Sequence, residues 1–111
     1  MLLTEHERSV QARIPLRCRV TATWTGRPPI EGETLDVSAS GALLALPASL
    51  PLGVELHLLV DLPDAEGAME LVALTVRAEP PGTDGAAHRL GVHFISASES
   101  AIRRIGRLIY G

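Results

Sequence analysis

The chain has 111 residues, 46% of them apolar and 21% charged, with a net charge of −3. That length fits one compact domain and leaves no room for two, and the acidic balance excludes broad nucleic-acid binding. No apolar run reaches the roughly 18 residues needed to cross a bilayer, and the acid-bearing start Met1–Glu7 lacks the apolar stretch of a signal peptide, so a cytoplasmic location is expected.

Residues 1–12 carry no apolar periodicity and are expected to form a mobile N-terminal segment. From Arg13 the pattern alternates. Ile14, Leu16, Cys18, Val20, Ala22 and Trp24 point one way, and Arg13, Arg17 and Arg19 the other. This is a half-buried strand with a basic outer stripe, closed by the turn Gly26-Arg27-Pro28-Pro29. The single cysteine, Cys18, excludes an internal disulfide and reads as a small buried hydrophobe.

The next stretch, Glu31 to Leu46, is a strand pair broken near Ala39-Ser40-Gly41. Leu35 and Val37 are expected inward, which puts Asp36 and Ser38 outward together, with Gly41 marking a bulge or tight bend. Pro47 and Pro51 frame a loop. Val54 to Leu62 alternates again, with Glu55, His57 and Asp61 outward, and Asp61 to Gly67 is a turn. Met69 to Glu79 places Val72, Leu74 and Val76 on one face. Pro80 to Gly85 is a hairpin tip, and Ala87 to Ile95 carries Leu90, Val92 and Phe94 inward.

Ser96-Ala97-Ser98-Glu99 reads as a capping box opening a helix over about 97–110. Ala101, Ile102, Ile105, Leu108 and Ile109 form its apolar face, and Arg103, Arg104 and Arg107 are placed opposite. Short strands with regular turns and one closing helix point to a small antiparallel barrel or sandwich.

Few residues suggest chemistry. All ten cations are arginine, grouped at the two ends of the chain around an acidic middle. Arginine makes bidentate contacts to phosphate and stacks on base planes, which lysine does not. His6, His57, His88 and His93 share no ligand spacing with one another or with Cys18, so no metal site is expected. No serine has a nucleophile-elbow setting and no glycine-rich phosphate loop precedes a helix. No catalytic residue and no cofactor are expected. A barrel for single-stranded nucleic acid wants several outer aromatics, whereas only Trp24, Phe94 and Tyr110 occur.

The run Asp36-Val37-Ser38-Ala39-Ser40-Gly41 carries an Asp-x-Ser-x-x-Gly pattern. By itself this is what any turn uses. With an arginine-bearing strand shortly before it, the chain resembles the PilZ domain, the bacterial receptor module for cyclic di-GMP. Asp36, Ser38 and Gly41 match that family's second motif. Arg89-Leu90-Gly91-Val92-His93-Phe94 resembles its late strand, and Glu7-Arg8-Ser9-Val10-Gln11-Ala12-Arg13 resembles the entry that carries its Arg-x-x-x-Arg motif. Arg13 falls on the second motif arginine. Ser9 falls on the first, with Arg8 one position earlier.

The resemblance implies a six-stranded antiparallel β-barrel closed by a C-terminal α-helix, spanning 13–111 after the segment 1–12. It implies a single-domain receptor that binds cyclic di-GMP through Arg8, Arg13, Asp36, Ser38 and Gly41. In that reading Asp36 accepts from a guanine edge and Gly41 lets backbone approach the ligand. The implied output is a signal to an effector protein controlling motility, pili, exopolysaccharide or virulence, with no nucleic-acid polymer bound and no membrane insertion. Ser9 keeps a second reading open: a PilZ-fold adaptor that has lost the nucleotide and acts by protein contact, for example in type IV pilus function.

Overall fold

A computed structural model of the chain describes residues 12–64, 66–80 and 88–111. Arg8, Ser9 and the rest of 1–11, together with the hairpin tip from 81 to 87, lie outside the described residues. The elements in chain order are β1 (Arg13–Pro15), β2 (Arg19–Thr23), β3 (Ile30–Ser38), β4 (Gly41–Leu46), β5 (Glu55–Asp61), β6 (Ala68–Glu79), β7 (His88–Ala97) and α1 (Glu99–Tyr110).

Every strand pairing is antiparallel. The order β3-β2-β5-β6-β7-β4 closes on itself because β4 also pairs with β3. The result is a six-stranded closed barrel, which leaves no open edge among its own strands. The seventh strand, β1, continues along the same edge of β3 that β2 occupies. The barrel interior is filled by Val20, Ala22, Val37, Leu44, Leu46, Leu56, Leu58, Val60, Leu71, Ala73, Leu90 and Val92, with Cys18 among them. β5 alternates perfectly, Leu56, Leu58 and Val60 inward and Glu55, His57, Leu59 and Asp61 outward, as period two requires.

Four local expectations are corrected. The first strand is two. Pro15 has no N–H to donate to a ladder, and after it the chain leaves regular pairing at Leu16-Arg17-Cys18. Thr34 plugs the break: its Oγ1 donates to Leu16 O at 2.5 Å and accepts from Cys18 N at 3.0 Å, while its own N donates to Cys18 O. On β6 the core face is Met69, Leu71, Ala73 and Thr75; Val72, Leu74 and Val76 lie on the outer face, Val76 exposed.

The helix starts later than the expected capping box. β7 runs through Ala97, and Ser98 is the N-cap, its Oγ accepting from Ala101 N at 3.0 Å. On α1, Arg104 is buried beside Ala101 and Ile105 rather than lying on the solvent face, and Ile102 is exposed. Its guanidinium forks onto Asp64, with Nη2 at 2.6 Å from Oδ1 and Nε at 3.1 Å from Oδ2, and Nη2 also donates to Gly67 O at 2.6 Å. That contact ties the helix to the β5–β6 turn.

Candidate functional site

The Asp-x-Ser-x-x-Gly run lies at the end of β3, in its tight turn and at the start of β4. Its geometry is set upstream by a bulge. Thr34 pairs with Leu44 and Asp36 with Leu43, so Leu35 is an extra residue on β3. A bulge shifts the inside–outside alternation by one residue. Thr34 and Val37 are therefore the buried positions, Leu35 is only half-buried, and Asp36 is turned to the outer surface.

β1 delivers Arg13 to the same place. Its register sets Pro15 against Asp36 and Arg13 against Ser38, and the long arginine side chain reaches diagonally across the pair. Arg13 Nη1 donates to Asp36 Oδ1 at 2.7 Å. Two sequence-predicted site residues from separate motifs thus meet on the outside of the barrel. Their side chains retain 46% and 26% of their exposure. An ion pair this exposed contributes at most about 1 kcal/mol, so either partner can be handed to a ligand at small cost.

Ser38 does not face outward beside Asp36. It is 1% exposed, and its Oγ accepts from Ser40 N at 3.3 Å and Gly41 N at 3.2 Å and donates to Gly41 O at 3.3 Å. The hydroxyl holds the turn Ser38–Gly41. Gly41 has an extended backbone, and a Cβ on it would stand 2.2 Å from Val92 O. The glycine lets the backbone of β7 approach this closely. Ser40 O adds to the seam by accepting from Phe94 N at 2.7 Å.

Beside this centre, Arg17 Nη1 donates to Glu33 Oε1 at 2.5 Å. His57 and His93 are exposed, as the strand pattern predicts. Among the described residues no cluster of three or more histidines, cysteines and carboxylates is placed to hold a metal, and no helix is long and apolar enough to cross a membrane. Cys18 is buried and reduced; burial pushes its thiol pKa up, more than its hydrogen bond with Thr34 lowers it. A separate groove of about 490 Å³ lies over β5, β6 and the β7–α1 junction, lined by residues that include His57, Leu59, Glu70, Val72 and Ser98. It shares none of the candidate residues.

The model of the PilZ domain family matches residues 3–111. The chain belongs to the PilZ domain family. The PilZ barrel is also found among solved structures. The inhibitor of motility MotI/DgrA of Bacillus subtilis superposes with a TM-score of 0.78 at 16% identity, over 96% of this chain and 54% of that one. The chain therefore spans about half the length of MotI/DgrA. The PilZ domain of YcgR from Escherichia coli, solved with c-di-GMP, gives 0.73 at 17% identity, over 91% and 88%. The PilZ domain of CeSA from a cellulose-synthesizing bacterium gives 0.63 at 22% identity, over 89% and 95%. At these identities the likeness is one of fold. No curated protein matches the chain significantly in sequence.

The sequence reading missed two residues that shape this PilZ barrel. Thr34 gave one signal, a lone hydroxyl two residues before Asp36. Arg104 gave a clearer one, three residues from Ala101 and four from Leu108, which is core spacing on a helix.

Proposed function

We propose that this PilZ domain is a receptor for cyclic di-GMP, with Arg13 and Asp36 as its principal contacts. The observation that carries this is the Arg13–Asp36 pair. The two family motifs, 23 residues apart, are brought within hydrogen-bond distance on the outer surface of the barrel. Arg13 offers a planar, always charged fork for phosphate or a guanine edge, and Asp36 offers an acceptor for guanine N–H groups. On binding, the intramolecular pair gives way to contacts with the dinucleotide. Ser38 and Gly41 belong to the site by shaping the turn that fixes Asp36. Arg8, five residues before Arg13 in the sequence, is the second arginine of this reading. The neighbouring barrel of YcgR was solved with c-di-GMP, which supports the choice of ligand. The module binds rather than catalyses, and its output is a change in an effector protein of a motility, pilus, exopolysaccharide or virulence system, from a cytoplasmic position.

The test is a calorimetric titration of the double variant Arg13→Ala, Asp36→Ala. Loss of two charge-assisted contacts, about 1.5–3 kcal/mol each, lowers affinity by at least a hundredfold. Unchanged binding rejects the assignment.

One observation favours the second reading, an adaptor that acts by protein contact without nucleotide. Ser38 and Gly41 are fully accounted for by the turn and the β7 seam, so their presence alone does not require a ligand.

A further inference from the structure

The strand register places four positions of the barrel's outer face in one row, its ends Asp36 and Arg77 accessible and Leu43 and Gly91 between them buried. Asp36 on β3 pairs with Leu43 on β4, Leu43 with Gly91 on β7, and Gly91 with Arg77 on β6. At about 4.8 Å per strand the row is roughly 14 Å long between its end residues. Arg13 and Asp36 occupy one end and Arg77 the other. A second bulge, between Thr75 and Arg77 on β6, sets this register.

The Arg77 side chain does not point away from the row. A Cβ placed on Gly91 would lie 2.8 Å from Arg77 Cγ, 3.2 Å from Nε and 3.1 Å from Cζ. The side chain therefore lies over the bare glycine of β7. There Nε donates to Glu79 Oε2 at 2.6 Å, with the Arg77 side chain still 48% exposed. A pair formed only for its own sake between Arg77 and Glu79, neighbours on one strand, would not need the adjacent strand to carry glycine. The arrangement repeats that at Arg13, an exposed arginine held by an exchangeable carboxylate.

Resting on the receptor reading above, we propose that Arg77 is an additional ligand-contacting arginine, gripping a guanine edge or phosphate of the dinucleotide at the end of the row opposite Asp36. Guanine presents two adjacent acceptors that match a guanidinium fork, and a phosphate presents the same geometry. A ligand with two purines and two phosphates is long enough to be held from both ends. Gly91 is then a positioning residue, keeping the path of Arg77 open.

The experiment is titration of the full chain with cyclic di-GMP for the wild type, Arg77→Ala, Arg77→Lys, Gly91→Ala and the distant helix variant Arg107→Ala. Circular dichroism melts verify the fold of each. Arg77→Ala binds about ten- to a hundredfold more weakly, the range for one charge-assisted contact. Arg77→Lys recovers only part of the loss, because the fork is gone. Gly91→Ala weakens binding in the same direction, and Arg107→Ala matches the wild type. Wild-type binding with Arg77→Ala unchanged within twofold overturns this assignment and leaves the receptor reading standing. No binding by the wild type overturns both.

Discussion

At the scale of single residues, the most demanding position on β3 is Thr34. Its hydroxyl satisfies the backbone at both sides of the break between β1 and β2, and thereby aims Arg13 along β3 toward Asp36. Thr34→Val keeps the volume and removes the oxygen, leaving Cys18 N and Leu16 O without this partner. Urea unfolding is expected to show a loss of about 1–3 kcal/mol. The same oxygen explains why alternation was only partly readable. Period two correctly placed Val20 and Ala22 inward, because nothing interrupts β2, and also Cys18 just before it. It misplaced Leu35, because a bulge changes the phase and leaves no mark in a sequence of Thr, Leu and Asp, and Ser38, because its hydroxyl is drawn into the turn Ser38–Gly41. Asp36 and Arg13 were legible as a pair of motif residues. That they touch was not, since contact depends on the β1–β3 register.

At the scale of elements, α1 is held to the barrel by apolar packing through Ala101 and Ile105 and by the fork of Arg104 onto Asp64 and Gly67. Arg107 on the same helix also meets a carboxylate, Glu66, but both of those side chains are about half exposed. Surface pairs contribute little, whereas removing the partner of a buried polar contact leaves groups unsatisfied. Arg104→Ala is therefore expected to lower the melting temperature clearly more than Arg107→Ala, measured by circular dichroism. The clasp is also sensitive to acid. The hydrogen bond from Arg104 is the main cause that holds the Asp64 carboxyl below its ordinary pKa. A depressed carboxylate contributes stability above its unfolded pKa of about 3.9, and that contribution is lost as pH falls through the lower folded value. Stability is expected to drop on acidification below about pH 4, and Asp64→Asn flattens that part of the profile. The sequence showed the helix and its apolar stripe. It hid the clasp because a charged residue is ordinarily assigned to solvent, although the spacing of Arg104 from Ala101 and Leu108 marks the core side.

At the scale of the whole molecule, the fold interleaves charges that the chain keeps apart. Arginines from the two ends meet carboxylates from the acidic middle: Arg13 with Asp36, Arg17 with Glu33, Arg104 with Asp64 and Arg107 with Glu66. The basic stripe expected on the first strand is thus paired where Arg13 and Arg17 lie. The closed barrel sets the candidate contacts on rigid strands, with the tight turn Ser38–Gly41 and the bulges of β3 and β6 deciding which side chains face outward. An antiparallel barrel or sandwich with a closing helix was legible from short alternating strands and turn residues, and the choice of a barrel came from the resemblance to PilZ domains. The seventh strand and the row from Asp36 to Arg77 were not legible, because both arise from register. In the proposed function the paired arginine and aspartate serve a dinucleotide. The most direct test is calorimetric titration of the protein with cyclic di-GMP, with GTP as control. Saturable binding in the low micromolar range or tighter, absent for GTP, is the predicted result. No heat with cyclic di-GMP at high protein concentration contradicts it, and leaves the barrel as a protein-contact adaptor.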